Sequence, residues 1–86
     1  MRFQGAIVRE QGVTFAVVVV QRRILDNNFE ANQTIESFRP AFPGMPVTLM
    51  AQDHRGRPTY YGRSDISRFL AGVPPGVIPW REYTLN

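Results

Sequence analysis

The spacing of apolar positions changes repeatedly along the chain, and each change marks an element. From Arg2 to Glu10, Phe3, Gly5 and Ile7 share one face and Ala6 and Val8 the other, a loose alternation that predicts a strand. Glu10-Gln11-Gly12 reads as a turn. Val13 to Val20 is a continuous, mostly β-branched run bounded by polar residues, the pattern of a strand covered on both faces. Such a strand belongs in the middle of a sheet, because at an edge Val17 to Val20 would invite pairing with another chain. After Arg22 and Arg23, the region from Ile24 to Arg39 predicts a helix with Asn27 as N-cap and Glu30 as the reciprocal acidic residue three positions on. Ile24, Ala31, Ile35 and Phe38 form its apolar stripe. Phe29 lies opposite that stripe, so it is packed by the preceding loop or offered to a partner. Pro40 and Pro43-Gly44 stop the helix.

The stretch from Pro46 to Val73 carries strand, turn, strand, cap and helix in unbroken order. Val47, Leu49 and Ala51 alternate with Thr48, Met50 and Gln52. Asp53-His54-Arg55-Gly56-Arg57 supplies a hairpin loop, with Gly56 where a positive φ is needed. Pro58 opens a second strand, Pro58 to Gly62, which suits an edge because proline has no ladder donor. Ser64 and Asp65 offer side-chain oxygens to a helix start, and Ile66, Phe69, Leu70 and Val73 form its buried face. Gly72 and Pro74-Pro75 end it. The tail, Gly76 to Asn86, holds Val77, Ile78, Trp80, Tyr83 and Leu85, too much apolar surface for a free end. It folds back over the core, adding a strand from Arg81 to Leu85, or crosses to another subunit.

These elements define an α+β fold in a single small domain spanning residues 1–86. Its expected architecture is a four-stranded sheet, five-stranded with the tail, and two helices in the order ββαββα. A chain of 86 residues buries roughly 60 to 65% of its extended surface, enough for one modest core. Two short helices can barely cover both faces of the Val-rich strand, which predicts a homodimer.

Composition narrows the chemistry. Without cysteine there are no disulfides, thiolate metal sites or iron–sulfur clusters, and a lone histidine leaves zinc or copper without a ligand set. Packing or oligomerisation must supply any extra stability. The longest apolar run, Phe15 to Val20, is far too short to span a bilayer, and no basic-then-apolar leader opens the chain, so a cytoplasmic location is expected and no membrane partner. Asn32-Gln33-Thr34 matches a glycosylation sequon that, lacking such a leader, carries no weight. All ten Lys/Arg residues are arginine, giving a net charge of +3 and a sequence pI near 10.2. That balance suits an anionic partner only where the arginines cluster. Missing lysine excludes Schiff-base chemistry and a phosphate-loop lysine. The seven carboxylates have local roles as turn, cap or surface residues, with no pair at adjacent inward positions. His54, in a turn beside Asp53, reads as a solvated polar residue. No catalytic, cofactor-binding or metal residue is assigned, and the chain is read as a non-enzyme.

Two residue sets remain as binding candidates. Trp80, Arg81 and Tyr83, joined by Phe29, have the residue types that dominate protein interfaces, and equally those that close a small core. Arg55, Arg57, Tyr60, Tyr61, Arg63 and Arg68 combine arginines with tyrosines as single-stranded nucleic-acid sites do. Yet Tyr60 and Tyr61 must point to opposite faces of a strand, so only one of them can stack beside the arginines. The first reading is a non-catalytic, homodimeric protein-interaction module; the alternative is nucleic-acid binding through the hairpin; small-ligand binding or catalysis comes last.

Residues 46 to 70 also resemble the last hairpin and helix of thioredoxin-like folds. The likeness rests on Pro46-Val47-Thr48-Leu49 opening a strand, on Gly56 and Gly62, and on Ile66, Phe69 and Leu70 in an Ile-x-x-Phe-Leu helix. It covers under a third of the chain and lacks the Cys-x-x-Cys, so it implies no redox role. It does imply a cis Met45-Pro46 bond. As a whole the chain resembles small bacterial proteins of unassigned function, a likeness that lends no activity.

Overall fold

The structure, a computed structural model, describes residues 1–10 and 12–85. Strand β1 (Arg2–Glu10) turns into β2 (Val13–Val19), and a 3-10 turn (Arg22–Asp26) leads into helix α1 (Asn28–Phe38). Strands β3 (Val47–Gln52) and β4 (Pro58–Tyr61) form the second hairpin, followed by α2 (Ser64–Ala71), a 3-10 turn at Pro75–Val77 and β5 (Arg81–Thr84). The fold is α+β, and its sheet runs β4-β3-β2-β1-β5. Only β2 and β3 are parallel, with α1 as their crossover. The tail supplies the fifth strand, so the element order is ββαββαβ, one strand longer than the expected core of four.

The Val-rich strand β2 is the middle strand of five, as its unbroken apolar run demands. One face of the sheet packs Ala16, Val18, Val47 and Leu49 against Ala31, Phe38 and Phe42 on the α1 side. The other packs Ala6, Phe15, Val17 and Met50 against Ile66 and Leu70 of α2 and Ile78 of the tail. One chain therefore seals both faces of β2, because the tail relieves the two helices. The packing pressure behind the expected homodimer is removed, and so is edge pairing through β2.

Local details follow the side chains. Asn27 caps α1 by accepting from the Glu30 backbone N–H at 3.1 Å. The reciprocal half of the box is replaced by an ion pair, Glu30 with Arg23 at 4.0 Å. Neither Ser64 nor Asp65 is the N-cap of α2, but Asp65 does place its carboxylate in the first turn, where the Ile66 backbone N–H helps hold it charged. Arg63 occupies the N-cap position with no side-chain cap bond, and its guanidinium instead takes the Asp65 carboxylate. No peptide bond is cis among the described residues, so Met45-Pro46 is trans, contrary to what the thioredoxin-like resemblance implies. Gly12 of the first turn has φ 79°, while Gln11 of the same turn and Asn86 of the tail lie outside the described residues.

The two edges are short and guarded. Asp53 N–H donates to the Arg57 carbonyl, so the next pair along, Gln52 with Pro58, falls at a position without ladder bonds. Pro58 thus forfeits no hydrogen bond inside the sheet, and as an edge proline it discourages another strand from adding. β5 is four residues long, carries the charged Arg81 and Glu82 as its first two residues, and follows Pro79 at one residue's distance.

Candidate functional site

The tail candidates turn out to be partly spent inside the molecule. Trp80 is half-buried, and its indole Nε1 donates to the Pro75 carbonyl at 2.9 Å, which closes the 3-10 turn beneath it. Tyr83 is half-buried against Phe3, with the rings stacked at 5.6 Å, and meets Phe42 edge-on at 5.1 Å. Arg81 is exposed. These residues close the core and zip β5 onto β1, where the Met1 ammonium also donates to the Leu85 carbonyl at 2.9 Å.

Phe29 stands apart. Its side chain is 71% exposed, on the line of α1 farthest from the buried Ala31 and Phe38, with Gln33 and Glu36 beside it. Among the described residues three other large apolar side chains are exposed, Val77 at 69%, Met1 at 65% and Ile7 at 43%. Sequence reading placed Ile7 on one face of its strand with Phe3 and Gly5. β5 pairs only with Arg2 to Gly5, so Ile7 lies beyond the end of that pairing.

The arginine–tyrosine set is divided by the sheet. Tyr60 packs on the α2 side and Tyr61 on the α1 side, where its hydroxyl contacts Asn32 Oδ1 at 3.2 Å. Burial alone pushes the Tyr60 hydroxyl above its ordinary pKa, and that oxygen has no hydrogen-bond partner. In the hairpin, Asp53 Oδ1 accepts from the Arg55 and Arg57 backbone N–H groups, both at 2.9 Å, while Oδ2 takes the Arg57 guanidinium at 3.2 Å. Gly56 follows at φ 81°. Arg57 is thereby a turn residue, and Arg63 is held by Asp65 at 2.6 Å. Arg55 and Arg68 are the members of the set without an ion pair, one at the hairpin tip and the other on the outer face of α2.

Five ion pairs join Arg2 to Glu82, Arg23 to Glu30, Arg39 to Glu36, Arg57 to Asp53 and Arg63 to Asp65. Among the described residues this leaves five arginines and two carboxylates unpaired, a difference equal to the net charge of +3. No group of three or more His, Cys, Asp or Glu side chains that could hold a metal ion occurs among them. His54 is exposed in the hairpin turn. A shallow groove beside α1, lined by Ile35, Arg39, Pro46, Tyr61 and Arg63, has both its arginines already paired to carboxylates of the same chain.

The paired carboxylates give the fold an acid limit. Hydrogen bonding from the Arg63 guanidinium lowers Asp65 to about 2, and the Arg57 backbone N–H holds Asp53 below the usual range. A lowered folded-state pKa means that the stabilisation is complete above the unfolded value, near 4, and is lost as pH falls through the folded value. Asp65→Asn is therefore expected to lower stability at neutral pH and to converge with the parent as the pH approaches 2. Denaturant melts across that range check it, and a constant difference between the two proteins would show that the charge is not the cause.

Sequence reading did not find Thr48, which is fully buried, or Ser67, whose hydroxyl is enclosed. Thr48 sits on the side of β3 that alternation assigned to the more polar face. Only the return of α2 over that face encloses it.

No helix among the described residues is long and apolar enough to cross a membrane. No protein-family model, curated protein or solved structure matches the chain.

Proposed function

We propose that this chain is a small non-catalytic protein-interaction module that self-associates, with Phe29 at the centre of the contact. The observation that carries the reading is a phenylalanine 71% exposed on the outermost line of a helix whose opposite face is packed. Aromatic side chains are the usual anchors of protein contacts, and nothing inside the fold uses this one. The non-catalytic part rests on the carboxylates, five of which are neutralised by arginines at the surface. Of the tail aromatics, Tyr83 supports the contact indirectly, by packing against Phe3 and Phe42 on the α1 side of the sheet.

Static light scattering over a concentration series tests the reading. The parent chain is expected to show the mass of a dimer, and Phe29→Ala to weaken association at least about 30-fold, since each of the two protomers loses its anchor side chain. A parent that stays monomeric at every concentration overturns self-association. Nucleic-acid binding through the hairpin competes, favoured by Arg55 and Arg68 having no ion pair. Affinity for labelled single strands that falls steeply with salt would support it over the first reading.

A further inference from the structure

Among the described residues, three enclosed hydroxyls have no hydrogen-bond partner: Thr48 Oγ1, Tyr60 OH and Ser67 Oγ. They come from β3, β4 and α2, and the fold brings them into one layer. Thr48 shares its face of β3 with Met50, a member of the α2-side core. Tyr60 is opposite Met50 in the β3–β4 ladder and packs against that same core. On α2, Phe69 leans toward β2, where its ring meets Phe15 edge-on at 6.4 Å. Ser67 projects from the other flank of the buried Ile66–Leu70 line, the flank over β4. Gly62, which precedes α2, approaches Thr48 so closely that a Cβ there would lie 2.8 Å from Oγ1.

We propose that Thr48, Tyr60 and Ser67 form a binding site for one internal water molecule, which ties α2 to the β3–β4 hairpin. A hydroxyl removed from solvent without a partner is disfavoured, and three such groups would weigh heavily on a fold this small. Of the three, only Ser67 has a local remedy, the carbonyl one helical turn earlier. A strand threonine and a tyrosine hydroxyl at the far end of its ring have none. Internal waters typically make about three hydrogen bonds to otherwise unpartnered groups, which is the number of oxygens gathered here. The raised pKa of Tyr60, caused by burial alone, agrees with a hydroxyl kept from bulk water.

A high-resolution crystal structure tests the site directly. It is expected to show one ordered water within about 3.2 Å of all three oxygens, and three hydroxyls bonded to one another or to backbone with no water between them would overturn it. A solution test runs alongside, with Thr48→Val, Tyr60→Phe, Ser67→Ala and the triple variant. A shared water makes each single change lower the melting temperature and makes the triple loss smaller than the sum. Additive losses, or single variants as stable as the parent, reject the site, and failure of one variant to fold leaves the other two singles and their double to decide.

Discussion

Phe42→Ala is expected to destabilise the protein by about 3 to 5 kcal/mol, the usual range for emptying a buried phenylalanine site. Phe42 is 1% exposed although it lies outside any helix or strand, immediately after the 3-10 turn at Arg39–Ala41. Its ring lies 6.0 Å from Phe3 and 5.1 Å from Tyr83, both edge-on, so it joins the crossover to β1 and β5 at once. Phe3 in turn meets Phe38 at 4.7 Å, bringing α1 into the same cluster. Removing the ring leaves a cavity and takes away two aromatic contacts worth roughly 0.5 to 1.5 kcal/mol each beyond their buried area. Set against a total of about 4 to 13 kcal/mol for a chain of this size, the loss is a large share. Denaturant unfolding at 25 °C measures it. Hydrogen exchange should also show β5 opening first, because Tyr83 loses the ring that backs it. A change below about 1 kcal/mol would mean the loop collapses into the space, and that Phe42 does not hold the tail.

Gly62→Ala should cost about 1 to 3 kcal/mol, the range for forcing extra volume into a packed site. Gly62 has no unusual φ; the requirement is one of space alone. A Cβ there would meet Thr48 Oγ1 at 2.8 Å, Thr48 Cα at 3.1 Å and Thr48 Cβ at 3.3 Å. Backbone and a fully buried side chain cannot easily yield, and Gly62 joins β4 to α2, so the strain reaches the helix. Thr48→Ala removes the nearest of those atoms. The double variant is therefore expected to lose less than the two single variants together, a coupling typical of residues in contact. Simple additivity would place the strain elsewhere.

Much of the fold was legible because its strongest signals are local. The unbroken run from Val13 to Val20 could only be a strand covered on two sides, and β2 is the central strand. Asp53 with Gly56 specified the hairpin, whose turn is closed by the Asp53 carboxylate and a positive φ. The tail's apolar residues excluded a free end but left open a return or a crossing to another subunit; β5 is the return. The thin stripe of α1 and the place of Phe29 opposite it both followed from a period of 3.6, whereas the exposure of Phe29 did not, since the preceding loop could have packed it.

The candidate site was less legible, since it depends on distances between segments far apart in the chain. Period two separates Tyr60 from Tyr61, and that much the sequence determined by itself, together with the elements, the turns and the direction in which each side chain leaves its strand. Tertiary structure alone decided which arginines are neutralised, that the tail seals β2 within one chain, and that the hydroxyls of Thr48, Tyr60 and Ser67 are enclosed. The physical reason is range: dihedral preferences and amphipathic periods act over a few neighbouring residues, whereas ion pairing, burial and hydrogen-bond satisfaction depend on what packing brings alongside.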